Sequence, residues 1–327
     1  MDPLSHAALG RTLIALDSRH RLGRGAAAAC ILGALCPDLD LARTLQGWDV
    51  YLRAHQGGTH SIAGVLACGL LTASVVGTVV RGARWRGLWL AATAGALSHI
   101  ALDLIAGADI RPLWPVAGGL VTLPLFAMAD PWLLGVFVVA IALLWRSRRP
   151  RIAAGVLLTV MAMSGVKGAL FARALRADAR AAGDPSVRRA DAVFGSWRGW
   201  TFFHATTDAA ERWEVDAWSG RARRALTIPR GLTSAEARSS VTLSSVENLR
   251  ASHAITIART RPAAAGRYEV VWTDLRYCAA SLAASEPVCG LWFGGEYQAG
   301  GQPIDVVVHV GALTQRRPLR RTPADNQ

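Results

Sequence analysis

The sequence predicts an α-helical integral membrane bundle followed by a small, mostly antiparallel β domain. Three observations carry this. Ser61 to Val80 and Leu88 to Gly107 are apolar stretches of bilayer-crossing length. A composition that is 52% hydrophobic, with a mean hydropathy of +0.27, suits a chain partly immersed in lipid. After about Arg173 the texture changes to short alternating runs broken by turn residues, as strands require. The 327 residues then divide into a helical membrane domain (1–172), an extramembrane β-rich domain (173–315) and a basic, polar tail (316–327).

Taken in order, Leu4 to Leu16 and Gly25 to Cys36 fall short of the ~20 residues needed to cross singly and suit a helical hairpin tucked into the bundle. The start of the chain bears Asp-Pro and lacks a charged segment followed by a small-residue cleavage pattern. The expectation is that the amino terminus stays attached. Leu120 to Trp145 is interrupted by Pro124, Asp130 and Pro131, so its helix starts at Pro131, with a re-entrant or interfacial piece ahead. Ile152 to Leu170 is a further span, and Lys167, the only lysine, can snorkel from its end. Beyond it, Trp213 to Trp218, His253 to Ile257, Tyr268 to Trp272, Gly290 to Phe293 and Ile304 to Val310 read as strands. Trp197, Trp200, Trp213, Trp218, Trp272 and Trp292 are expected in the core and rim of this domain. Arg316, Arg317, Arg320 and Arg321 read as a solvated tail. Cys30, Cys36 and Cys68 lie in apolar segments. Cys278 and Cys289 are either a disulfide of an oxidising compartment or two small unpaired hydrophobes.

The net charge of +13 is almost wholly arginine. These arginines cluster beside apolar spans and form no basic patch interleaved with stacking aromatics, which argues against nucleic-acid binding. Arg81, Arg84 and Arg86 form one short-loop cluster, and Arg146, Arg148, Arg149 and Arg151 another, so both loops are expected on the cytoplasmic side. Arg19, Arg21 and Arg24 fall on that side by alternation. The opposite, extracytoplasmic side then holds Asp38 to His60, the Ala108 to Asp130 loop and the whole β domain.

Four of eight histidines, His6, His55, His60 and His99, sit in or beside apolar segments, where an ionisable group is costly without a partner or a task. His99 and Asp103 are four apart on a predicted helix and share one face. In Pro37-Asp38-Leu39-Asp40 an extended path would turn both carboxylates to one side. His55 to Ser61 sets two histidines about a glycine turn, with Thr59 able to cap the following helix. Arginine placement brings all of these to one membrane face, and a hairpin brings His6 there too. Seven ligands, His6, Asp38, Asp40, His55, His60, His99 and Asp103, exceed the needs of one tetrahedral ion. They point to one divalent metal or to a pair about 3.5 to 4 Å apart. Mixed imidazole and carboxylate donors suit zinc, manganese or iron, with zinc the default. Asp38 or Asp40 could serve instead as general base.

Met1-Asp2-Pro3-Leu4-Ser5-His6, Gly33 to Asp40, His55 to Ser61 and Ser98-His99-Ile100-Ala101-Leu102-Asp103 resemble, in order, the motifs of the YdjM-like membrane-bound metal-dependent hydrolases. The resemblance covers roughly the first 130 residues. Ser5 stands where the family has Thr, and Gln56 where it has Arg. Trp272-Thr273-Asp274-Leu275-Arg276-Tyr277 is similar to the tail of longer members.

The expected activity is hydrolysis, through metal-activated water, of an amphipathic or lipid-like ester or phosphoester at the surface of the bacterial inner membrane. Membrane lipids would be its surroundings. Arg111 and Trp114 would either anchor the loop at the interface or contact a head group. Two other classes compete. A transporter would spread polar residues through the membrane thickness, whereas the middles of these spans are Val, Leu, Ala and Gly. A membrane-anchored binding protein with a structural metal would keep its ligand on the isolated segment from Arg173 onward. His204, His253 and His309 have no carboxylate partner at a telling spacing and read as ordinary. No Walker loop, GxSxG elbow, HExxH or CxxC is present.

Overall fold

The computed structural model describes residues 1–55, 57–146, 149–183, 185–279 and 288–319. A helical first half leads into two antiparallel sheets. Helix α1 (Pro3–Ile14) begins at a built cap: Asp2 accepts from the Ser5 backbone N–H at 2.9 Å and from its hydroxyl at 2.7 Å, with Pro3 opening the first turn. Helix α2 (Ala26–Leu35) packs back on α1, forming the expected hairpin. Cys36–Leu45 then forms a 3-10 segment, and α3 (Trp48–His55) follows. Pro37 to Asp40 is therefore helical and not extended. Proline suits the first turn of a helix as well as an extended run, and the motif alone does not distinguish them.

Helices α4 (Ile62–Val79), α5 (Trp85–Ile105) and α7 (Pro150–Ala182) are long and apolar enough to cross a membrane, and α6 (Pro131–Arg146) is a shorter apolar helix. Helices α2 and α5 cross at glycine. A Cβ on Gly33 would lie 2.2 Å from the Ala92 carbonyl oxygen, and one on Gly95 would lie 2.0 Å from that of Cys30. Only hydrogen at these positions allows so close an approach.

Two of the arginine-bearing turns meet at one end of the bundle, where the end of α6 also comes close. Arg84 donates to the Arg21 carbonyl at 2.7 Å, and Arg11, in the last turn of α1, donates to that of Leu144 at 3.3 Å. The start of α4 and the end of α5 lie at the opposite end.

At about 1.5 Å per residue, α7 is about 50 Å long and exceeds a ~30 Å hydrocarbon core. Its last turns pack Ala174 and Ala177 against Trp200, Phe202 and Val215 of the first sheet. The change of texture at Arg173 therefore falls inside a helix that turns amphipathic, and the first strand begins at Val187. Lys167 does not snorkel to an interface. It is 1% exposed, donates from Nζ to the Ser196 carbonyl at 2.8 Å and lies 4.6 Å from the Trp200 ring centre.

The first sheet is a meander of β1 (Val187–Ala192), β2 (Gly199–Ala205), β3 (Ala209–Asp216) and β4 (Arg221–Pro229). After α8 (Ala235–Ser240) and α9 (Ser244–Ser252), the second runs through β5 (Thr256–Pro262), β6 (Tyr268–Asp274), β7 (Leu291–Tyr297), β8 (Pro303–Val310) and β9 (Leu313–Pro318). Trp272 and Phe293 pair across β6 and β7 under α8 and α9, while Phe203 and Ile228 meet Ile257 and Leu275 to join the sheets. Trp200, Trp272 and Trp292 are buried, whereas Trp218 is exposed. Cys278 and Cys289 form a disulfide, and Cys30, Cys36 and Cys68 are buried free thiols.

Arg316 and Arg317, expected in a solvated tail, lie in β9. Arg316 pairs with Glu269 and Glu296, and Arg317 with buried Asp49 of α3. A cross-strand carboxylate gives a basic residue a reason to stay in a ladder that composition does not show. Arg320, Arg321 and Gln327 lie outside the described residues.

Candidate metal centre

The Asp2 cap sets the register of α1 so that His6 points inward. It is fully buried, and its ring stacks on that of His99 with centres 3.7 Å apart. Its Nε2 comes within 3.2 Å of Asp103 Oδ1, yet neither ring nitrogen has a well-formed hydrogen bond to any described residue. A buried imidazole with both nitrogens unsatisfied is costly unless something else completes it.

On α5, His99 and Asp103 share one face as their spacing predicts, with Nε2 and Oδ2 3.2 Å apart. Across the glycine crossing, His99 Nδ1 lies 2.8 Å from the Ala34 carbonyl oxygen. A carbonyl only accepts, so Nδ1 carries the hydrogen and the neutral ring keeps its lone pair on Nε2, facing the cluster. His60 Nε2 lies 3.2 Å from His99 Nε2 and 3.5 Å from Asp103 Oδ2. Asp38, from the 3-10 segment, places Oδ1 3.5 Å from His99 Nε2 and 3.7 Å from His60 Nε2, with its side chain 31% exposed.

Among the described residues, three groups of potential ligand atoms result, each within 4.8 Å: His6, Asp38 and His99; Asp38, His55 and His60; His60, His99 and Asp103. Four ligands at zinc's ~2.0–2.1 Å bonds stand roughly 3.3 Å apart at tetrahedral angles, which the separations of 3.2 to 3.7 Å match. The orphaned His6 nitrogens, the fixed His99 tautomer and the two facing Nε2 atoms all fit a cation held among these side chains.

Asp40 belongs to none of the three groups. It is buried and takes contacts from His55 Nδ1 at 3.1 Å and the Thr59 hydroxyl at 3.0 Å, with His60 Nδ1 at 3.7 Å. Thr59 also touches His60 Nδ1 at 3.1 Å. Asp40 and Thr59 thus orient His55 and His60 from behind, as supporting residues do for metal-ligating imidazoles. Thr59 is not the cap of α4: Ser61 fills that role, accepting from the Gly64 N–H at 3.0 Å. Helix α3, which carries His55, is held by the β-rich part. Arg53 donates to the Asn248 side chain at 2.9 Å, Asn248 donates to Asp49 at 2.9 Å, and Trp48 and Leu52 pack on the second sheet's core.

Burial disfavours a proton on His60, but its contacts with Asp103 and Asp38 outweigh this and raise it to about 9. The Asp103 and Asp38 carboxylates that raise it would also attract a metal cation, which would bind His60 by displacing that proton.

Arg111 and Trp114 lie in the loop that follows α5. Arg111 donates to the Ala251 carbonyl at 2.7 Å, while half-exposed Trp114 packs beside Gly57. Two of the three histidines read as ordinary do have carboxylate partners: His204 lies 3.1 Å from Asp178, and His309 lies 3.0 Å from Glu269. His253 instead meets the Tyr277 hydroxyl at 2.6 Å. Sequence spacing did not show these, since each pair joins different elements. The supporting roles of Thr59 and of the Ala34 carbonyl were also missed. Thr59 sits within the His55 to Ser61 motif and could have been found there; a backbone carbonyl leaves no signal. Gln56 lies outside the described residues.

Helices of spanning length that close over a buried His/Asp cluster able to hold a metal ion define a polytopic membrane protein with a candidate metal centre. The chain belongs to the YdjM inner membrane protein family, whose model matches residues 1–172, more than half of it. It is also similar to the uncharacterized protein YfhP of Bacillus subtilis (strain 168), with 27% identity over 124 residues, 38% of each chain. The similarity therefore spans well under two thirds of that relative. No solved structure matches.

Proposed function

We propose that this protein is a membrane-bound metal-dependent hydrolase acting on an amphipathic or lipid-like ester or phosphoester at the membrane surface. The observation that carries the reading is the convergence of His6, Asp38, His60, His99 and Asp103, from four separate segments, at ligand-to-ligand distances of 3.2 to 3.7 Å. Zinc suits this donor set best, with manganese or iron the next choices. Such an ion, when bound, acidifies water toward a pKa of ~7 and polarises a carbonyl or phosphoryl oxygen. The sharing of Asp38 between two ligand groups also suits a pair of ions.

The residues divide the remaining work. His6, His60, His99 and Asp103 are buried and fix the cation, whereas Asp38 is the ligand most open to solvent and so the one placed to take a proton from water. Asp40, buried against His55 and Thr59, orients the imidazoles. The position of the site at the end of the bundle away from the arginine-rich turns supports, by the positive-inside rule, an extracytoplasmic reading for it and for the β-rich part. A disulfide between Cys278 and Cys289 suits that compartment.

The test is elemental analysis of the detergent-purified protein beside a His60→Ala/His99→Ala variant, with hydrolysis of short-chain lipid esters and phosphoesters measured on both. Metal and activity are expected to fall together. Equal metal content in the two samples ends the assignment.

A further inference from the structure

The end of the bundle that holds the metal cluster carries two exposed apolar segments. The first continues from α2, where Leu32 faces outward and Leu35 is half-buried, into the 3-10 segment, where Leu39 is 65% and Leu45 91% exposed. At three residues per turn and about 2 Å per residue, Leu39, Ala42 and Leu45 fall in one exposed row about 12 Å long. The charged residues within this stretch do not interrupt the row. Asp40 is buried against His55 and Thr59, and exposed Arg43 is long enough to reach a head group from beside it.

The second is the loop between α5 and α6. From Pro112 to Ala129 no residue is ionisable, and Leu113, Trp114, Val116 and Val121 are exposed, Val116 at 93%. Apolar side chains exposed singly are ordinary on a water-facing surface, but a run of them with no charge between is not. The loop is pinned at its base: Ile110 and Val121 exchange backbone hydrogen bonds of 3.0 and 2.8 Å, and Trp114 lies against Gly57. Its tip also satisfies its own amides. The Trp114 N–H donates to the Arg111 carbonyl at 3.1 Å, those of Val116 and Ala117 donate to the Leu113 carbonyl at 2.9 and 3.0 Å, and Pro112 and Pro115 carry none. Backbone with internal partners loses little by leaving water.

Continuity says what covers these segments. The Pro112 carbonyl accepts from the Ile62 N–H at 2.9 Å, and exposed Ile62 opens α4, whose outward face runs on through Leu66 and Leu70 along a helix of spanning length. The loop extends that face, so the lipid that covers the helix covers the loop. Asp38, the most open of the clustered ligands, immediately precedes Leu39 in the other segment.

We infer that the 3-10 segment and the loop after α5 are immersed in the leaflet at the cluster end of the bundle, and that a bilayer-resident lipid reaches Asp38 sideways from that leaflet without crossing water. The consequence for substrate rests on the hydrolase reading: it is a lipid held in the bilayer and not a soluble amphiphile. The immersion and the lipid path are properties of the surface alone.

The experiment uses the full wild-type chain in phosphatidylcholine nanodiscs doped with one of two photoreactive phosphatidylcholines, carrying a diazirine either beside the glycerol ester or at the end of an acyl chain. After photolysis, adducts are located by peptide mass spectrometry. The ester-level probe is expected to mark Asp38, Leu39 to Leu45 and Leu113 to Val121 at yields within about threefold of those on Ile62 to Leu66, and the chain-end probe to mark them at least about tenfold less. Leu313, an exposed apolar residue of the β-rich part, is the control and should stay unmarked. Marking of the two segments no greater than that of Leu313 overturns the inference, as does their protection within a dimer, which would assign the surface to a second copy of this chain. Marking of Leu39 and Leu45 with Asp38 untouched overturns the lipid path. The same pattern is expected after stripping with EDTA and in the His60→Ala/His99→Ala variant, so loss of the metal assignment would leave this result standing, and the reverse also holds.

Discussion

Replacing Asp103 with Asn removes one negative charge and almost no volume, so its effect reports electrostatics without a packing defect. Asp103 lies 3.2 Å from His6, 3.5 Å from His60 and 3.2 Å from His99, more imidazole contacts than any other carboxylate of the cluster makes. Removing even a supporting residue behind a metal ligand costs about 10- to 100-fold in affinity. A carboxylate within the cluster itself should lie at or beyond the upper end, so metal affinity should fall at least about 100-fold, or about 2.7 kcal/mol. The measurement is competition with a chelator of known affinity on the full chain in detergent, with metal content by elemental analysis. Asp49→Asn is the control, since Asp49 is equally buried but engages Arg317 and Asn248 away from the cluster. An Asp103→Asn protein that retains its metal with undiminished affinity refutes the coordination argument.

Three further outcomes follow from the geometry. Thr59→Val, which removes the hydroxyl that touches both Asp40 and His60, should lower metal affinity about tenfold, and Thr59→Ser should restore it in the same competition assay. Gly95→Ala drives a methyl to 2.0 Å from the Cys30 carbonyl and should destabilise the α2–α5 contact by about 1–3 kcal/mol, read as a lower thermal midpoint. The His253 ring is 5% exposed, and burial lowers it to about 4 from an ordinary 6.5. As pH falls through 6.5 the unfolded chain takes up a proton that the folded chain refuses. This group should therefore cost stability progressively down to about pH 4, by roughly 3 kcal/mol in all. Denaturant midpoints of the wild type and His253→Gln across that range should diverge accordingly, and parallel curves would refute it.

The helices were legible because each announces itself locally. Apolar runs of fixed length mark α4, α5 and α7, and the pairing of His99 with Asp103 follows from helical periodicity alone. Bringing the ligands to one end needed only the arginine turns. The 3-10 path of Pro37 to Asp40 was not legible, since its alternation fits either backbone. Strands β1, β2, β4 and β9 were also missed. β4 is largely exposed and arginine-rich, so it lacks the alternation that marks a half-buried strand. The Arg276–Asp109 pair spans 167 positions and belongs to no periodic pattern, so nothing in the linear order ties the β-rich part to the loop after α5. Long-range polar pairs of this kind are fixed by tertiary packing, which leaves no trace in either partner's neighbours.

The buried position of Lys167 gives the protein an internal chemical reporter. Its amine is the only lysine side chain in 327 residues, and it is sealed where α7 meets the Ser196 carbonyl and the Trp200 ring. Acylation by an amine-reactive ester needs a free, unprotonated nitrogen, so modification at this position can proceed only when the seam parts. The rate of adduct formation at residue 167, followed by peptide mass spectrometry, therefore reports how often the contact between α7 and the β-rich part opens. No engineered label is needed.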